Sequence, residues 1–224
     1  MKSTVFLALS LMMMAIGGCA VPNKSTMVYT EAAFPSKLEN EAVVNASFDD
    51  CWSKLISGLS SEFFVINNVE KASGLITLDF STDAAEDFVD CGTTTRTYGD
   101  KTFTYAAAGD AEFQFDQKVS VNVARQTVQR TTSLSGKINV HVSEVPGGTK
   151  VAVNVRYIWT NVVGGYYRLA GSLMSGPVQA LDRQTVTKTF NTNAPSARSD
   201  SEDISCGSNG KLEKRILDIV NSGT

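Results

Sequence analysis

Between residues 48 and 63 the apolar positions Phe48, Cys51, Trp52, Leu55, Ile56, Leu59 and Phe63 recur at helical spacing. That pattern predicts a helix over about 48–61. Ser47, with Asp50 three positions later, forms a capping-box pattern at its start. Gly58 inside the helix costs up to about 1 kcal/mol relative to alanine, which points to close packing at that position. Elsewhere the period changes to two. Ile76, Leu78 and Phe80 alternate with other residues within 74–81, and Phe63–Asn67 reads as the neighbouring strand across a polar loop, 68–73. Ile138, Val140 and Val142, then Val151, Val153, Val155, Tyr157 and Trp159, alternate on either side of Pro146-Gly147-Gly148, which predicts a hairpin. Short strands are expected at 42–46 and 185–191, and a closing helix over about 208–221 turns Leu212, Ile216, Ile219 and Val220 inward. Residues 82–110 show no period, 161–177 read as an irregular Gly-rich stretch, and 193–205 as a polar loop. The order predicts an α+β fold: an antiparallel β-sheet packed against an N-terminal and a C-terminal helix.

The front of the chain changes the picture. Lys2 precedes an apolar run, Val5–Ile16, too short to span a bilayer but suited to the core of a signal peptide. It ends in Ile16-Gly17-Gly18-Cys19, which resembles a bacterial lipobox. The resemblance implies cleavage before Cys19 and lipidation of its thiol, giving stable anchoring once two or more acyl chains are present. Ala20, where an aspartate would favour retention at the inner membrane, implies the outer membrane, with the body facing the periplasm. The chain then divides into a signal peptide over 1–18, a lipidated tether over 19–40 and one α+β domain over 41–224. Pro22 and Pro35 and the absence of a sustained period mark the tether, which reaches roughly 70 Å if fully extended.

Four cysteines, less Cys19, leave Cys51, Cys91 and Cys206. Cys51 falls on the apolar face of the first helix, as a buried free thiol does. Cys91 and Cys206 lie in polar, glycine-containing segments, so a Cys91–Cys206 disulfide is expected in an oxidising periplasm.

Several segments together resemble outer-membrane lipoproteins with a helix-grip or BamC-like domain. They are the helix around Asp50-Cys51-Trp52, the approach Ala72-Ser73-Gly74-Leu75-Ile76, the Gly-Gly-Thr hairpin running into Val-Asn-Val-Arg-Tyr, and the start of the last helix, Cys206-Gly207-Ser208-Asn209-Gly210-Lys211-Leu212-Glu213. The resemblance covers about 40–80 and 130–220. It implies a sheet gripping the C-terminal helix and a role in envelope assembly or scaffolding.

Charge narrows the partners. With 20 Lys+Arg against 23 Asp+Glu and no long basic run, nucleic acid is not expected as a partner. His141, the single histidine, sits on the polar side of its strand and reads as a solvent-face residue. Glu86, Asp87 and Asp90, and Asp200, Glu202 and Asp203, read as solvated loop charge without a calcium-loop pattern. No catalytic motif stands out, and no metal or cofactor is expected. Tyr166, Tyr167 and Leu169, in the Gly-rich stretch, are candidates for partner or membrane contact. The expected function is that of a non-enzymatic scaffold or assembly factor with envelope protein partners. The alternative is a carrier holding an apolar ligand, such as lipid, between sheet and helix.

Overall fold

The computed structural model describes residues 25–119, 122–170, 178–200 and 203–221. Helix α1 (Phe48–Ser61) begins where the capping pattern placed it. Ser47 Oγ accepts from the Asp50 amide at 3.2 Å, and Asp49 and Asp50 set negative charge at the positive end of the helix. Its face of Cys51, Trp52, Leu55 and Leu59 is buried.

Thirteen strands precede or follow it among the described residues. The early ones are β1 (Thr26–Thr30), β2 (Glu41–Val44), β3 (Val65–Glu70), β4 (Leu75–Thr82) and the short β5 (Val89–Asp90). Next come β6 (Thr93–Tyr98), β7 (Lys101–Ala106) and β8 (Ala111–Val119), then the long pair β9 (Asn122–Val145) and β10 (Gly148–Ala170). β11 (Gln179–Ala180), β12 (Gln184–Asn191) and β13 (Gly207–Ser208) lead to helix α2 (Lys211–Asn221).

The ribbon β9–β10 is the spine, in continuous antiparallel register from Val145↔Gly148 to Val123↔Ala170. Its turn is Pro146-Gly147, where Pro146 presets one dihedral and Gly147 takes φ +91°. At the turn end, the proximal half, β4 and then β3 extend the sheet from β9, and β2 pairs with β10. β12 pairs with the middle of β10, from Arg156↔Asn191 to Val163↔Gln184. At the other end, the distal half, β8 pairs with β9 from Ala111↔Arg130 to Val119↔Asn122, and β11 pairs with Tyr166 and Tyr167 of β10.

The inward row predicted from alternation is the core: Ile138, Val140, Val142, Val151, Val153, Val155, Tyr157 and Trp159 are all buried. The C-terminal helix starts at Lys211 and buries Leu212, Glu213, Ile216, Leu217 and Val220. The two helices pack on one another as well as on the sheet. A Cβ at Gly58 would lie 2.3 Å from Ile219 Cγ2, and Lys54 Nζ donates to the Val220 carbonyl at 3.0 Å. The α+β class stands, with the two helices side by side in one core cluster rather than as separate flanks of the sheet.

Two expectations need correction. Residues 26–40, expected to belong to the tether over 19–40, are packed on the body instead. β1 pairs with β6 in a second sheet ordered β1-β6-β7, and Tyr29 Oη both donates to the Ser205 carbonyl and accepts from its amide, each at 3.0 Å. Asn40 is buried and its Nδ2 donates to the Val153 carbonyl at 2.8 Å, so residues 26–40 strap across the body. The Gly-rich stretch is not irregular as far as Ala170: glycines at 164 and 165 sit within β10, held by its pairing to β9. Cys19, the signal peptide and residues 171–177 lie outside the described residues.

Candidate functional site

β6 and β7 form a hairpin over the distal half, as the helices cover the proximal half. Its inward positions Arg96, Tyr98, Phe103 and Tyr105 face Phe113 and Phe115 of β8, Val128 and Arg130 of β9, and Asn161 and Val163 of β10. The aromatic rings hold this second layer together. Tyr98 stacks on Phe115 with centroids 4.0 Å apart, Phe103 on Phe113 at 5.0 Å, and Tyr105 on Phe113 at 5.9 Å. The layer is not filled. A cavity of about 390 Å³ remains, within the range of small-molecule sites.

Two guanidinium groups line that cavity. Arg130 is 5% exposed, donates to the carbonyls of Ala107 and Gly109, and lies 5.3 Å over the Tyr105 ring and 5.5 Å over that of Trp159. Trp159 Nε1 donates to the Ala108 carbonyl at 3.2 Å, so Arg130 and Trp159 together pin the turn after β7. Burial pushes the Arg130 pKa down; the Tyr105 phenol and the Asp110 carboxylate act against that, and the nearby Arg96 charge adds to it. For Arg96, burial works downward but the phenols of Tyr105 and Tyr98 outweigh it and raise the pKa. Among the described residues neither arginine has a carboxylate within ion-pair distance. Asp110 is engaged by Thr132, whose amide and hydroxyl donate to its Oδ1 at 2.6 and 2.9 Å. Asn161 is 8% exposed, and its Oδ1 is a buried acceptor without a partner. Asp182 and Gln184, just before and at the start of β12, close the rim.

The residues singled out from the sequence fall elsewhere. Cys91 and Cys206 lie at disulfide distance, Sγ–Sγ 2.00 Å, beside the β5–β13 ladder, and Cys51 is a buried free thiol. His141 is exposed on β9, opposite Leu75 and Ala152. Asp203 pairs with Lys188, Asp90 Oδ1 accepts from the Gly92 amide, and Glu86 and Asp87 sit in a single 3-10 turn. Glu202 lies outside the described residues. Tyr166, Tyr167 and Leu169 are on the distal half of β10; Tyr166 is 38% exposed, and the Tyr167 hydroxyl donates to Gln179.

Sequence reasoning missed both the arginine cavity and a buried polar group in the core. Tyr157 Oη donates to Glu213 Oε1 at 2.9 Å, and Ser208 Oγ donates to the same carboxylate. Burial, then the Glu213 charge, drives the Tyr157 pKa well above its ordinary value. All three side chains are shut within the core, so the group fastens α2 to β10. A signal for the cavity did exist: aromatics two apart at Phe103/Tyr105 and Phe113/Phe115, with Arg96/Tyr98 beside them, mark the inner faces of successive strands.

These features define an α+β protein whose long ribbon carries an aromatic-walled cavity lined by two guanidinium groups. No family model, curated protein or solved structure matches the chain.

Proposed function

We propose that the chain is a non-enzymatic lipoprotein of the bacterial outer membrane, anchored through Cys19 with its body in the periplasm, that works by binding envelope partners. The observation that carries the binding role is the contrast along the ribbon. The layer between the proximal ribbon and the helices is filled by side chains with no exposed surface, such as Leu55, Leu59, Trp159, Leu212 and Ile216, whereas the layer between the distal ribbon and the β6–β7 hairpin keeps an open cavity of guanidinium, amide and phenol groups. Such groups recognise rather than react near neutral pH. The lipobox supports the anchor. The filled sheet–helix layer favours a scaffold over a carrier of apolar ligand. A helix-grip arrangement remains part of the proposal, supported by α2 packing across β10 and β2.

A photocrosslinking residue placed at Tyr166 in intact cells tests this reading. Discrete adducts with envelope proteins are expected there, and none from the same residue placed at Lys54 near the helix pair. The same adduct pattern from both positions contradicts a distal binding end. Loss of the protein from the outer-membrane fraction in Cys19→Ser tests the anchor separately.

A further inference from the structure

We infer that the cavity between the β6–β7 hairpin and the distal ribbon binds an acidic saccharide, a sugar ring carrying a carboxylate or phosphate. The inference goes beyond the protein-partner reading and does not need it.

Three observations converge. The first is charge. Arg130 is 5% exposed, its direct contacts are backbone carbonyls and ring faces, and the Asp110 carboxylate that acts on it is not within ion-pair distance. A buried cation without a carboxylate in direct contact is costly, and a second guanidinium on the same cavity, Arg96, adds repulsion that the single rim carboxylate, Asp182, offsets only in part. An anion in the cavity relieves both. Arg130 is fixed by its carbonyl contacts, so Arg96, half-buried within β6, the middle strand of the β1-β6-β7 sheet, is the group that clasps the ligand.

The second is the orphan acceptor. Asn161 Oδ1 is buried at the cavity without a donor, which costs about 1–3 kcal/mol. A bare carboxylate has no proton to offer it; a hydroxyl has. Gln184 and Asp182 on the rim add further amide and carboxylate positions of the kind that bind hydroxyls, which both donate and accept.

The third is the walls. Tyr98, Tyr105, Phe113 and Phe115 present aromatic surface, whose negative faces pack against C–H groups. A hydroxylated ring with one apolar face and one anionic substituent satisfies all three features. A bare carboxylate leaves Asn161 unused, any bare anion leaves the walls unused, and a neutral sugar leaves the arginines unrelieved.

Isothermal titration of the full lipidated protein in detergent tests this with D-glucuronate, glucose 1-phosphate, D-glucose, acetate and inorganic phosphate. Saturable one-to-one binding of glucuronate or glucose 1-phosphate is expected, about tenfold or more tighter than any of the other three. The tighter of the two acids identifies the head group. Arg96→Gln is expected to weaken acid-sugar binding about tenfold or more while near-UV circular dichroism stays that of the wild type. Asn161→Leu should narrow the preference for the acid sugar over the bare anion. No saturable binding of either acid sugar overturns the inference. So does equal binding of glucose, equal binding of acetate or phosphate, or unchanged affinity in a folded Arg96→Gln protein. These results leave the crosslinking pattern at Tyr166 untouched, so the two readings fail separately.

Discussion

Asp203 shows how one side chain ties a loop to the sheet. Its partner Lys188 belongs to β12, and the two side chains are 12% and 13% exposed. Burial works to raise the Asp203 pKa, but the Lys188 ammonium and the amide and hydroxyl of Ser199 outweigh it and hold it at about 2. An unfolded aspartate titrates near about 3.9. The folded value is depressed, so the stabilisation is present above about pH 4 and is lost as pH falls towards 2. Asp203→Asn is therefore expected to unfold more easily than the wild type at neutral pH, with the difference shrinking between about pH 4 and pH 2. Urea unfolding across that range measures it, and a gap independent of pH contradicts the assignment. None of this was readable from the acidic run at 200–203, because the lysine that answers Asp203 lies on another element.

Elements were legible where one face is dry and the other wet. α1 has its cap, its period and its apolar stripe in one short window, and its bounds match the sequence reading. The proximal hairpin shows the same clarity because Val151, Val153 and Val155 turn inward and Lys150, Ala152 and Asn154 do not. The distal half breaks the rule: Arg130, Thr132 and Asn161 occupy inward positions, so the alternation that marks a strand disappears where the cavity is built. β6 and β7 are rich in threonine and pack in part on β9 and β10, distant in sequence, which local patterning does not register. The helix pair offers a test at this scale. Gly58→Ala gains up to about 1 kcal/mol of helix propensity. Its new Cβ would meet Ile219 Cγ2 at 2.3 Å, and overpacking costs typically about 1–3 kcal/mol. Net destabilisation is expected, recovered in part when Ile219→Ala is added. A Gly58→Ala protein more stable than the wild type in thermal unfolding contradicts the close approach.

At the scale of the whole molecule, long-range ties join segments far apart in sequence. The Cys91–Cys206 link closes a separation of 115 residues and places β13, just before α2, beside β5. Closing a loop of that length stabilises by up to about 4.7 kcal/mol in the chain-entropy model. Cys91→Ser with Cys206→Ser should lower the unfolding free energy by several kcal/mol. Peptide mapping without reduction should find Cys51 unpaired; burial raises its thiol pKa, so it should stay unreactive to thiol reagents until the protein unfolds. A bridge through Cys51 contradicts this arrangement. On the proposed reading, recognition falls at the distal end of the ribbon, away from the filled sheet–helix layer. Amide hydrogen exchange with and without D-glucuronate tests that division most directly. The account predicts added protection at 96–105, 113–115, 127–130 and 161–164, with the core amides of β4, α1 and α2 unchanged. Protection gained only around the helices, or nowhere, contradicts it.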